Sequence, residues 1–340
     1  MSTKRYVYID VCKGIGIILV IAGHLFTYGG LPMKMIFSFH MPFFFLISGV
    51  FADRKYSISK LFKSILVPFV CFCAIGGAVS MMIPAWRGGI TLAAIKSTMN
   101  SLQPEIFHVG QIWFLIALFW VKLLYRFIDY YIKGDKNKWL ICVAIIVFFM
   151  YYLYSICASV INGRLPWKMD TALIGLTFYV IGWILKDYIL DDNNWVITFV
   201  IGVAIVYYYA RYSAEAINIC NYSMGNDIGL FIAVAFCGSV GIISLSKLLC
   251  RIFSKIGVNL EWLQILGRNS LVAFGMHSLW LYLFEFVYLK ITNIKIVHME
   301  NLNTKQTIIG IIFVSFFTLI TCVIWEKCVK NIGKKRISVR

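Results

Sequence analysis

Residues 7–28 read VYIDVCKGIGIILVIAGHLFTY, and residues 34–51 read KMIFSFHMPFFFLISGVF. At ~1.5 Å of rise per residue, each run reaches about the ~30 Å thickness of bilayer hydrocarbon. Lipid offers no partner to a backbone N–H or C=O, so a spanning run of this kind closes its own hydrogen bonds as a helix. Eight further runs repeat the pattern, at about 61–84, 111–132, 139–161, 171–189, 195–212, 228–246, 270–289 and 307–326. The composition agrees with this reading. Of 340 residues, 61% are hydrophobic and only 14% charged, and the mean hydropathy is +0.82. A soluble domain has no interior large enough for that much apolar surface. The predicted fold is all-α: a polytopic transmembrane bundle of about ten helices. Residues 1–340 form a single membrane domain without an appended soluble domain, and no internal repeat is visible.

The formal charge of +17 invites a nucleic-acid reading, but its placement argues otherwise. With the N-terminus inside, 22 of the 32 Lys and Arg residues fall in inner segments and 9 in outer ones, with Lys122 inside a helix. That is the positive-inside bias, and it places both termini in the cytoplasm. Nucleic acid is excluded as a partner; membrane lipid is the expected surround. The first run is long, is interrupted by Asp10 and Lys13, and lacks a small-x-small exit, so it is retained rather than cleaved. The ten cysteines lie mostly in apolar runs, with Cys220 in an outer loop. They make neither a disulfide framework nor a zinc spacing, and no metal site is predicted. The longest outer connection, about 85–110, lies on the membrane surface or dips back into the protein. The longest inner one, about 247–269, accommodates a short interfacial helix.

Ionisable groups within a spanning helix are costly, so each is a functional candidate. Lys13 and His24 are eleven residues apart, three helical turns plus ~20°, and so share one face at ~16.5 Å axial separation. Asp10 lies one turn before Lys13 on that face. The plainer alternative is that Lys13 snorkels to the inner interface and His24 hydrogen-bonds a neighbouring helix. His40 and His24 are each eight residues from Pro32, which a tight hairpin would bring to similar depth. Pro42 removes a donor and frees the Ser38 carbonyl, which His40 alternatively serves as a structural partner. Gly49 permits close packing of the second helix. Asn269 or Ser270 is placed to cap the ninth helix, and His277, two turns in, reads as structural. His108 and His298 read as ordinary solvated loop residues. Lys60 and Lys63, neighbours at i, i+3, join Arg54 and Lys55 in a basic inner rim. That rim expresses either topology or a phosphate site for a cytosolic cofactor.

Taken together these stretches resemble the acyltransferase 3 family of membrane acyltransferases. YIDVCKGIGIILVIAGH, residues 8–24, is similar to the family's opening pattern of a basic residue, ten others and a histidine, with Lys13 and His24 in place. SFHMPFFFLISGVF, residues 38–51, is similar to the second-helix motif that holds His40. KLFKSILVPF, residues 60–69, is similar to the basic segment before the third helix. IWFLIALFW, LTFYVIGWIL and LGRNSLVAFGMH resemble later landmarks. Two departures stand out. Many members have arginine where this chain has Lys13, Lys60 and Lys63, and lysine supplies charge without a bidentate fork. Many also carry an extracytoplasmic domain, for which no counterpart is read here.

The resemblance implies O-acyl transfer, usually acetyl from acetyl-CoA to a hydroxyl of a bacterial surface or lipid-linked glycan, in the cytoplasmic membrane. His24 is then the general base or the carrier of an acyl-histidine intermediate. Lys13 attracts the cofactor or polarises the thioester, His40 positions the acceptor or the His24 tautomer, and Lys60 and Lys63 hold the nucleotide. A transporter or flippase is the rival reading, although repeats or paired interrupted helices are not found. A structural subunit of a glycan-assembly complex is the third.

Overall fold

The computed structural model describes residues 6–52, 57–83, 91–159, 165–191, 195–225, 227–293 and 302–338. Among them the regular structure is helical, apart from one isolated bridge between Asn218 and Ser223. Nine helical segments among the described residues are long and apolar enough to cross a membrane. The remaining expected span, 171–189, folds as α8, Met169–Ile184, and α9, Lys186–Asp191, parted at Leu185.

The chain divides into two compact units, one of Met1–Met33 with Ile242–Arg340, the other of Lys34–Gly241. The first contains α1 (Val7–Leu25), the last part of α11 (Ile228–Lys255), α12 (Glu261–Arg268), α13 (Ser270–Thr292) and α14 (Thr304–Ser338). Two glycines set its packing. A Cβ on Gly14 would run into the Leu263 carbonyl, and one on Gly267 into the Asp10 carbonyl. Helices α1 and α12 therefore meet backbone to backbone, as small residues allow in membranes. Val11, Leu260 and Leu263 are buried there, with Leu249, Cys250 and Phe253 packed around them. That contact accounts for α11 continuing to Lys255, beyond the expected end near 246: its last turns find apolar partners. Helix α12 is the expected short helix in the 247–269 connection. Helices α13 and α14 zip through aromatic pairs, Trp280 on Phe317 at 5.2 Å and Phe284 on Phe313 at 5.7 Å between ring centroids.

The second unit contains α2 (Leu31–Phe37), α3 (His40–Val50), α4 (Ile58–Met82), α5 (Leu92–Ser101), α6 (Gly110–Ile132), α7 (Lys136–Ser159), α8, α9, α10 (Trp195–Tyr212) and the start of α11. The second expected run is not one kinked helix. It breaks at Ser38–Phe39, where Phe39 takes φ −142°, and restarts at His40. Pro42 thus sits in a first turn, where a missing N–H costs nothing. Gly49 does serve close packing: it lies against the Tyr179 backbone, as Gly182 of α8 lies against that of Leu46. In α4 the ladder slips into a π turn over Phe62–Leu66, just before Pro68, which has no N–H to give the Ser64 carbonyl.

Loops close one end of this unit. The later part of the outer connection packs back onto α4, with Ser80 Oγ 2.8 Å from His108 Nδ1. His108 is therefore half-buried rather than an ordinary solvated residue, and burial lowers its pKa. Lys168 is also buried, its Nζ donating to Gln103 Oε1 at 2.6 Å and to the Cys220 carbonyl at 3.1 Å.

Candidate active site

Helix α1 presents Asp10, Lys13 and His24, each half-buried. The two glycine contacts that seat α12, at Asp10 and Gly14, bracket Lys13 in sequence. Lys13 is thus carried on a segment of α1 held by two close backbone contacts. One turn earlier, Tyr8 lies under the ammonium of Lys247, 5.1 Å from its ring centroid. This cation–π contact adds a second basic group near the start of α1.

The junction between α12 and α13 is held by an ion pair that sequence reading did not single out. Arg268 Nε and Nη2 donate to the two carboxylate oxygens of Glu326, at 3.0 and 3.4 Å. Asn269 Nδ2 donates to the same carboxylate at 2.8 Å and to the Ile265 carbonyl at 2.9 Å. Asn269 occupies the N-cap position of α13, yet its side-chain oxygen accepts no cap hydrogen bond; the amide is oriented instead by the two acceptors of Nδ2. The clasp fixes where α13 starts, and so where His277 stands two turns later.

His277 is fully buried. Its Nδ1 is 2.8 Å from the Phe274 carbonyl, and its Nε2 has no hydrogen-bond partner among the described residues. Its ring lies 5.9 Å from that of His24, centroid to centroid, at an interplanar angle of 27°. The residue read as structural thus forms a pair of imidazoles with the residue read as catalytic. Helix periodicity cannot show this, because it depends on how α1 and α13 are rotated against each other.

The other candidates belong to the second unit. His40 is buried, with Nδ1 2.9 Å from the Ile36 carbonyl and its ring 4.8 Å from that of Phe37. The carbonyl it meets is thus Ile36 rather than Ser38, on the last turn before the break. Lys60 and Lys63 are exposed, one on the first turn of α4 capped by Ser57, the other inside the π turn. Arg54, Lys55 and His298 lie outside the described residues. Among the described residues no three His, Cys, Asp or Glu side chains converge as metal ligands.

A family model described as an acyltransferase domain, of the acyltransferase 3 type, matches residues 6–326. Nodulation protein NolL of Sinorhizobium fredii (strain NBRC 101917 / NGR234) is 26% identical over 163 residues, which cover 43% of this chain and 42% of NolL. The match therefore spans less than half of that relative. No solved structure matches the chain.

Proposed function

Because this chain belongs to the acyltransferase 3 family of integral membrane acyltransferases, we propose that it moves an acetyl group from acetyl-CoA to a hydroxyl of a surface or lipid-linked glycan. The observation that carries this reading is the pairing of His24 with the buried imidazole of His277, at the far end of the helix that bears Lys13. His24 is the general base. It takes the proton of the acceptor hydroxyl as the oxygen attacks the thioester carbonyl carbon. The tetrahedral adduct collapses, the C–S bond breaks, and the CoA thiolate leaves; the proton on His24 passes to it. Histidine suits the task because its ordinary pKa, ~6.5, lets it both take and return a proton near neutrality.

Lys13 supplies positive charge ~16.5 Å along the helix from His24, a span of the order of CoA's slender thioester arm. Lys60 and Lys63 add exposed ammonium groups suited to the nucleotide phosphates. His40 positions the acceptor. The Lys/Arg asymmetry supports an orientation with both termini in the cytoplasm of a bacterial cell, where acetyl-CoA is available. Residues 1–340 act as a single membrane domain. The transporter alternative gains no support from the family match.

Membranes containing the protein, incubated with acetyl-CoA labelled in its acetyl group, are expected to transfer label to a saccharide fraction from which mild alkali releases it. Loss of that transfer in His24→Ala, with acetyl-CoA binding retained, is the expected signature. Wild-type membranes that hydrolyse or ignore acetyl-CoA without labelling any saccharide would sink the reading.

A further inference from the structure

His277 holds an unused acceptor in the protein interior. A carbonyl only accepts, so the 2.8 Å contact with Phe274 places the ring proton on Nδ1. Nε2 of the neutral ring is then a bare lone pair, buried and without a partner among the described residues. Folding has taken from it the hydrogen bond that water gave, and native interiors retain few such groups without reason. The ring is also held in place: Nδ1 is tied to its own helix, and the rings of His24 and Phe274 contact it at 5.9 and 5.6 Å. Ser278, the next residue, is buried with its Oγ unpaired as well.

A bare imidazole nitrogen selects among ligands. It offers nothing to a thioester carbonyl, an ether oxygen or a phosphate, all of which only accept. It binds an O–H or an N–H. The donor substrate therefore has no use for it at the reacting carbonyl, whereas an alcohol does. In the transfer proposed above, His24 takes the proton of the hydroxyl that attacks. A partner for Nε2 of His277 must be a different proton.

The geometry points to His277 as a binding residue for the acceptor: its Nε2 accepts a hydrogen bond from a second hydroxyl, close to the one that His24 deprotonates. This inference rests on the transfer reading. It requires of the glycan acceptor a second donor group, of which the neighbouring hydroxyl is the one every saccharide carries, beside the hydroxyl that reacts. It also makes His277 a determinant of which hydroxyl is acylated.

The test compares His277→Phe with His277→Gln in membranes of cells that make the protein and its acceptor, with acetyl-labelled acetyl-CoA as the probe. Phenylalanine keeps the ring and its packing but has no lone pair. Glutamine packs less well but carries an acceptor oxygen. Transfer is expected to fall roughly tenfold in His277→Phe, the scale of one lost hydrogen bond, with the KM for acetyl-CoA unchanged. His277→Gln is expected to retain several-fold more activity than His277→Phe. A packing role predicts the reverse order, and that order overturns the proposal. So does wild-type transfer in His277→Phe, or a raised KM for acetyl-CoA with unchanged turnover. Melting in detergent is followed alongside. If His277→Phe does not fold, His277→Met against His277→Gln gives the same comparison between chains of similar length. Absence of transfer by the wild-type protein identifies failure of the underlying reading and removes this inference with it.

Discussion

Lys13 and His40 make different demands on their replacements. If Lys13 acts by charge, Lys13→Arg keeps much of the transfer and Lys13→Met, a chain of similar length without charge, loses it; turnover of the purified variants checks this. Equal activity in Lys13→Met would return Lys13 to the snorkelling role. His40 meets the Ile36 carbonyl at 2.9 Å, so His40→Ala removes that contact and destabilises the fold by about 1–3 kcal/mol. His40→Asn, whose amide nitrogen can reach the same carbonyl, is expected to restore melting but not transfer. Recovery of both would make His40 purely structural. His108 gives a pH signature outside the spanning segments. Burial lowers its folded pKa, so folding favours the neutral ring. The associated stability is present above the unfolded pKa of ~6.5 and is lost as pH falls below it, where the unfolded chain binds the extra proton. The melting midpoint of wild type should therefore drop between pH 7 and pH 5 by more than that of His108→Asn. Parallel curves would contradict this. At this scale the sequence was most informative about His24 and Lys13, whose spacing is intrahelical. It did not show the burial of His108 or the pairing of His277 with His24, whose surroundings are set by packing.

Helix α12 is an element whose place depends on two hydrogen atoms. A methyl group at Gly267 would collide with the Asp10 carbonyl. Overpacking of a fixed interior costs about 1–3 kcal/mol. Gly267→Ala should therefore lower the melting midpoint and, by displacing α1 around Lys13, lower transfer as well. A variant with wild-type melting would show that the two backbones do not meet. For α4 the prediction is kinetic. Lys60→Ala with Lys63→Ala should mainly raise the KM for acetyl-CoA, because phosphate contacts remote from the thioester act as uniform binding. An unchanged KM would leave these lysines as topology signals. The elements were largely legible, since hydrocarbon thickness dictates apolar runs of fixed length. Their interruptions were not. The break at Ser38–Phe39 and the parting at Leu185 fall beside polar residues, Ser38 and His40 in one case and Lys186 and Asp187 in the other, which hydropathy averaged over a span-length run absorbs into the apolar stretch around them.

The whole molecule was legible as a helical membrane bundle because composition alone forbids a soluble core. Its division into Met1–Met33 with Ile242–Arg340 and Lys34–Gly241 was not, since contacts between the first and last helices leave no mark on local sequence. Orientation is open to direct measurement: labelling should find Lys55, Lys136, Lys255 and Lys335 cytoplasmic, and Lys96, Lys168 and Asn221 on the opposite side. Extracytoplasmic labelling of both Lys55 and Lys335 would invert the account. The central claim is that His24 is the base of an acyl transfer. Its most direct test is acetyl transfer by purified, folded His24→Gln at saturating acetyl-CoA. Glutamine preserves a hydrogen bond but offers no base, so turnover should fall by ~10²–10⁴-fold with acetyl-CoA binding largely retained. Wild-type turnover in His24→Gln would contradict the claim.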